Sequence, residues 1–140
     1  GRGIALHESF GSIVAVVAEV SQGEAGEPRV HRVVVGIDCG TAINPSLIAQ
    51  QVESSVIYGL SATLYGRIAI KDGRVEQGNF DSYPVLRLAE TPIIDTWIVR
   101  STLPPGGVGE PALPPVAPAV ASALAVLTGR RHRRLPLIGG

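Results

Sequence analysis

Two runs rich in valine and isoleucine give the clearest pattern along the chain: residues 12–20 (SIVAVVAEV) and residues 30–38 (VHRVVVGID). The polar segment SQGEAGEP separates them and carries glycine and proline. This arrangement predicts two strands of an antiparallel hairpin. Because apolar side chains fall on both faces of the second run, we expect both faces of the hairpin to be at least partly covered.

Two helices are predicted from apolar residues at spacings of three and four. The first begins at Asn44 and Pro45, which suit the N-cap and the first helical position, and ends before Gly66. Its apolar positions are Leu47, Ile48, Val52, Val56, Ile57, Leu60 and Leu64. The second covers PVAPAVASALAVLTG, where Gly129 is a typical helix stop.

Further strand patterns lie between and after these elements. RIAIKDGRVEQ predicts a hairpin closed by Asp72 and Gly73, and IIDTWIVRS predicts another strand. The order of elements shows no regular strand–helix–strand alternation. We therefore predict an α+β fold, with a mixed, mostly antiparallel sheet and two main helices packed on it. The 140 residues fit a single segment, 1–140.

Composition excludes several functional classes. Twelve basic and twelve acidic residues cancel, so no overall field favours nucleic acid or an anionic membrane, and no apolar run is long enough to span a bilayer. The basic stretch RRHRR either contacts phosphate or complements the end of the preceding helix, and no aromatic residues interleave with it. Cys39 is the sole cysteine and the three histidines are scattered, so we predict no metal ligands.

One carboxylate, Glu110, stands in the otherwise apolar run PGGVGEPALPP. It is either an acid near the start of the second helix, or a poorly solvated carboxylate suited to act as a general base. Gln51 and Ser54 fall on the polar side of the first helix and would by themselves be solvated surface. The segment DCGTAINP is either a simple turn or a loop of small residues that admits a ligand near a helix N-terminus.

Three ordered blocks of sequence resemble one known family. DCGTAINPSLIAQQVESSVIYGLSATLYG, KDGRVEQGNFDSYPVLR and GGVGEPALPPVAPAVASALAVLTGRRHRRLPL are similar, in this order and spacing, to the C-terminal part of the molybdenum-binding large subunit of the xanthine dehydrogenase and aldehyde oxidase family. Within that family, the type represented by the beta subunit of isoquinoline 1-oxidoreductase is the most similar. The chain has QVESS where many relatives have QVEGG, and Ser122 where asparagine is commoner.

This resemblance implies an oxidoreductase that hydroxylates an aldehyde or an N-heterocyclic aromatic with oxygen from water. It implies molybdopterin cytosine dinucleotide with molybdenum as the cofactor, and a small [2Fe-2S] subunit as the partner that receives electrons. Matched position by position, Glu110 is the general base, Gln51 hydrogen-bonds the pterin, and Gly109 allows close backbone approach. The resemblance does not decide between a cytoplasmic and a periplasmic location.

The absence of methionine and the glycine at position 1 indicate a piece of a longer protein. We therefore expect the isolated segment to be inactive, to carry no cofactor, and to self-associate through apolar surface that missing parts would cover. The alternative is a non-catalytic structural or assembly domain that docks onto a partner subunit.

Overall fold

The computed structural model describes residues 1–138, which form a four-stranded sheet, two helices on one of its faces and a short separate hairpin. In chain order the elements are β1 (Arg2–Ser9), β2 (Ser12–Gln22), β3 (Pro28–Asp38), α1 (Pro45–Leu64), β4 (Ile70–Lys71), β5 (Arg74–Val75), a 3₁₀ helix (Leu88–Glu90), β6 (Ile93–Ile98) and α2 (Val116–Thr128).

The main sheet has the order β1-β2-β3-β6. Neighbours β1 and β2, and β2 and β3, are antiparallel, whereas β6 runs parallel to β3. The predicted hairpin is thus confirmed as β2 and β3, and the predicted strand after it as β6. The prediction of an α+β fold with a mixed, mostly antiparallel sheet is confirmed.

Both predicted helices form, and their ends follow the expected chemistry. The side chain of Asn44 accepts the Leu47 N–H at 3.1 Å and caps α1. Gly129 has φ +72° and ends α2, a conformation that glycine adopts without a Cβ clash. Of the predicted apolar stripe of α1, Leu47 is exposed and Ile57 is partly exposed, while the other members are buried: Ile48, Val52, Val56, Leu60 and Leu64.

The first strand, β1, was not predicted. Its core-facing positions begin with Gly3 and Ala5, which carry too little apolar surface to produce a strand pattern. The small size is required by packing, because a Cβ on Gly3 would lie 2.1 Å from the carbonyl oxygen of Ala119 in α2. Helix α2 therefore rests almost directly on the backbone of β1.

The core lies between the sheet and the two helices. From the sheet it takes Val14, Val16, Ala18, Val33, Val35 and Ile37. The opposite face, which we call the open sheet face, exposes apolar side chains at Ile4, Leu6, Ile93 and Trp97. Both helices pack on the core side, and on the open sheet face the central residues Ala15, Val17, Val34 and Gly36 are partly buried within residues 1–138.

Candidate functional site

The segment between β6 and α2 is held by long-range backbone hydrogen bonds. The N–H of Gly106 donates to the carbonyl of Cys39 at 2.9 Å, and the N–H of Gly107 donates to the carbonyl of Phe10 at 2.7 Å. The hydroxyl of Ser12 donates to the carbonyl of Gly107 at 2.7 Å. The segment is thereby fixed between the end of β3 and the turn that joins β1 to β2.

Glycines are required on both sides of this contact, because the two backbone segments approach too closely to leave room for a Cβ. A Cβ on Gly106 would lie 2.6 Å from the carbonyl oxygen of Gly11. Gly40 has φ +69°, and a Cβ there would lie 2.1 Å from the carbonyl oxygen of Pro104. Neither position can hold a larger residue unless the backbone moves.

Ser55 anchors the same segment from α1. It is 3% exposed, and its hydroxyl donates to the carbonyl of Gly109 at 2.9 Å. In the sequence, Ser55 is notable only because many relatives have glycine at this position, and this difference predicts no contact. Its spacing could have indicated burial, because residue 55 lies three positions after Val52 and seven after Ile48 on the buried face of α1.

Gln51 lies beside Gly109. A cavity of about 470 Å³, here called the Gln51 cavity, is lined among others by Thr41, Asn44, Gln51, Gly106 and Gly109. The Gln51 Oε1 atom lies 4.0 Å from the position that a Cβ on Gly109 would take. Gln51 is exposed, and within residues 1–138 its amide has no hydrogen-bond partner. The amide is therefore available to a polar ligand in this cavity.

Cys39 forms part of the wall of the Gln51 cavity. It is 2% exposed. Burial raises the pKa of its thiol, and the neighbouring carboxylate of Asp38 raises it further. The side chain is thus a small, buried and protonated thiol that packs as an apolar group. The segment DCGTAINP contributes Cys39, Thr41, Ile43 and Asn44 to the wall, which favours a ligand-admitting loop over a simple turn.

Glu110 opens onto a different cavity. This cavity of about 450 Å³, here called the Glu110 cavity, is lined by His7, Ser9, Phe10, Glu110, Leu113 and Pro114. The structure therefore brings Gln51 and Gly109 together. Glu110, which follows Gly109 in the chain, lines a separate cavity. Segment 106–110 contributes Gly106, Val108 and Gly109 to the first cavity and Glu110 to the second.

The expectation that Glu110 is an acid near the start of the second helix is wrong. Helix α2 begins at Val116 and has no acidic residue in its first turn, so Glu110 lies beyond the range over which the helix dipole acts. Glu110 is also exposed in this chain rather than poorly solvated, because its segment runs along the surface of residues 1–138. Its carbonyl accepts the N–H of Leu113 at 2.9 Å, in a turn that leads towards the helix.

The described part of the chain has no cluster of three histidine, cysteine, aspartate or glutamate side chains that could hold a metal ion. Nor does either main helix within residues 1–138 have the length and apolar character needed to cross a membrane. The polar residues that line the two cavities include Gln51, Thr41 and Asn44 in the first and Glu110, His7 and Ser9 in the second. A planar heterocycle with donor and acceptor atoms along its edge, such as a pterin, fits the unpartnered amide of Gln51 beside the bare backbone of Gly109.

Residues 6–92 match the family described as Molybdopterin cofactor-binding domain. The chain belongs to this family. The matched range includes Gln51 and stops before Gly109 and Glu110.

Curated relatives of this family member are subunits of oxidoreductases. The chain is 35% identical over 147 residues to a subunit of the nicotinate dehydrogenase of Pseudomonas putida, with 98% of this chain and 12% of the relative covered. It is 32% identical over 142 residues to the beta subunit of isoquinoline 1-oxidoreductase of Brevundimonas diminuta, with 98% and 18% covered. The chain thus spans less than a fifth of the length of either relative.

Solved structures show the same fold. Cu,Mo-CO dehydrogenase superposes with a TM-score of 0.78 at 24% identity, with 91% of this chain and 17% of that chain covered. The aldehyde oxidoreductase of Desulfovibrio gigas gives a TM-score of 0.78 at 21% identity, with 91% and 14% covered. The resemblance to the xanthine dehydrogenase and aldehyde oxidase family is therefore confirmed, and a further relative is the molybdenum-binding subunit of an aldehyde oxidoreductase of Escherichia coli.

Proposed function

We propose that this chain is the C-terminal segment, 1–140, of the cofactor-binding subunit of a molybdenum hydroxylase. Such an enzyme oxidises an aldehyde or an N-heterocyclic aromatic and takes its oxygen from water. The names of the relatives support this substrate class, since they include an isoquinoline oxidoreductase and aldehyde oxidoreductases. The observation that carries the proposal is the arrangement at segment 106–110, with an unpartnered amide on one side and a single carboxylate on the other.

Gln51 and Gly109 would hold the pterin in the Gln51 cavity. The Gln51 amide offers a donor and an acceptor in one plane, which matches the edge of a pterin ring. Gly109 has no side chain to block that edge, and its carbonyl is oriented by Ser55. When bound, molybdopterin, in its cytosine dinucleotide form, would supply the redox chemistry through its molybdenum and take up the electrons removed from the substrate.

Glu110 would act as the general base. One of its Oε atoms accepts the proton of the water-derived nucleophile as the oxygen attacks the substrate carbon. The backbone hydrogen bonds at Gly106 and Gly107, together with the Ser55 contact, limit the freedom of the Gly109–Glu110 peptide, and such positioning lowers the entropic part of the barrier. Because Glu110 is exposed in this chain, other parts of the complete subunit would have to exclude solvent from it.

The complete enzyme would pass electrons to a small [2Fe-2S] subunit. The 140-residue chain by itself would be inactive and free of cofactor, since one glutamine and one backbone segment cannot hold a large anionic ligand. It would also self-associate, because the open sheet face exposes apolar side chains.

The test of this function is the substitution Glu110→Gln in the complete enzyme. Glutamine keeps the size of the side chain and most of its hydrogen bonds but cannot accept a proton at neutral pH. Turnover should fall strongly while the molybdenum content stays at the wild-type level.

A further inference from the structure

The turn between β1 and β2 places an aromatic residue where the backbone disfavours one. Ser9 pairs with Ser12, and the two residues between them both have positive φ, +54° at Phe10 and +73° at Gly11. Two-residue hairpin turns of this kind favour asparagine, aspartate or glycine at the first position. A bulky side chain in the left-handed region is uncommon and marks a position to be explained.

Structural contacts explain the backbone of Phe10 but not its ring. The carbonyl of Phe10 accepts the N–H of Gly107, and a Cβ on Gly107 would lie 2.8 Å from the Cβ of Phe10. Any residue with a Cβ could make these contacts. The side chain beyond the Cβ contributes little to the core, because Phe10 is 66% exposed.

Phe10 instead lines the same cavity as Glu110. In the Glu110 cavity, Phe10, Leu113 and Pro114 provide the apolar surface, and Glu110, His7 and Ser9 provide polar atoms. The Ser9 hydroxyl oxygen is buried and has no hydrogen-bond partner within residues 1–138. A volume of about 450 Å³ is within the range of small-molecule sites.

We propose that Phe10 is a specificity-determining residue that packs against the flat ring of an aromatic substrate and holds it beside Glu110. This inference rests on the proposed function, which places the reacting carbon within reach of that carboxylate. Offset or edge-to-face packing of two aromatic rings strengthens binding by about 3- to 10-fold beyond simple burial. A saturated ring of the same size gains only the burial.

The experiment compares two aldehydes with the same reacting group, benzaldehyde and cyclohexanecarbaldehyde, as substrates or as competitive inhibitors of the complete enzyme. Phe10→Leu should raise the KM or inhibition constant of benzaldehyde about 3- to 10-fold, and change that of cyclohexanecarbaldehyde less than about twofold. The molybdenum content should stay unchanged. Phe80→Leu is the matched control, since Phe80 is 73% exposed but lies in a different cavity, and both constants should keep their wild-type values.

Equal changes for the two aldehydes, or no change for either, would overturn the proposal, because Phe10 would then only support the turn. Phe10→Tyr keeps an aromatic ring and should retain the preference for benzaldehyde. Loss of that preference in Phe10→Tyr would also overturn the proposal, and this test does not depend on whether Phe10→Leu folds. Glu110→Gln separates this proposal from the function itself. If Glu110→Gln abolishes turnover and Phe10→Leu leaves the aromatic preference intact, the contact assigned to Phe10 is wrong and the function stands.

Discussion

The hydrogen bond from Ser55 to Gly109 can be removed by a single atom change, Ser55→Ala. The lost bond between neutral groups costs about 1 kcal/mol, and somewhat more if the Gly109 carbonyl finds no water. Alanine also stabilises the folded state by about 0.5 kcal/mol relative to serine, because it is the better helix former at an interior position of α1. The net destabilisation expected for Ser55→Ala is therefore about 0.5 to 1 kcal/mol.

Ser54→Ala provides the matched control. Ser54 is the preceding residue of the same helix, is exposed, and makes no hydrogen bond through its side chain within residues 1–138. Its replacement should stabilise the chain by about 0.5 kcal/mol through helix propensity alone. The two variants should therefore differ by at least about 1 kcal/mol, or roughly 4 °C in Tm for a chain of this length.

Urea unfolding followed by circular dichroism measures both free energies, and amide exchange at Gly106 and Gly107 reports on the segment itself. In Ser55→Ala, exchange at these two amides should accelerate more than in the centre of β2. If Ser55→Ala and Ser54→Ala change the free energy of unfolding by the same amount, the Ser55 contact does not hold the segment. Its assigned role in orienting the Gly109–Glu110 peptide would then be refuted.

Gly3→Ala should destabilise the chain by about 1 to 3 kcal/mol, because the added Cβ would collide with the backbone of α2 at Ala119. The control is Gly36→Ala on the open sheet face, where the added Cβ would meet no atom within 4 Å. Its free energy of unfolding in the same urea titration should be unchanged or slightly higher. Equal effects would contradict the packing of α2 on β1. The purified 140-residue chain should contain far less than one equivalent of molybdenum by elemental analysis and should increase in mass with concentration by light scattering. Leu6→Lys on the open sheet face should reduce that association, and a monomer at high concentration would contradict it.

Periodic patterns predicted the β2–β3 hairpin, both helices and the hairpin at Asp72 and Gly73, because each of these elements carries a local signal of spacing, capping or turn chemistry. Strand β1 carries no such signal. Its core-facing residues Gly3 and Ala5 are small because α2 lies against the backbone at Gly3, and this requirement becomes visible only when the tertiary contact is known.

The roles of Gln51, Gly109 and Glu110 stay predictions, whereas the positions of these residues come from the structure. Gln51 and Gly109 lie close to each other. The path of segment 106–110 depends on bonds from Gly106 to Cys39 and from Gly107 to Phe10, and no local pattern encodes pairings so distant in sequence. Sequence reasoning therefore could not show that Glu110 opens onto a second cavity, that it is exposed in this chain, or that Phe10 shares its surroundings.

The central claim is that the Glu110 carboxylate accepts a proton during turnover, and kcat of the Glu110→Gln variant of the complete enzyme tests it most directly. With molybdenum content equal to that of the wild type, we predict a fall in kcat of about 10²- to 10⁴-fold, the range typical for loss of a general base. Glu53→Gln, which alters an exposed carboxylate on α1, should leave kcat unchanged. A fully loaded Glu110→Gln enzyme that turns over at the wild-type rate would contradict the claim.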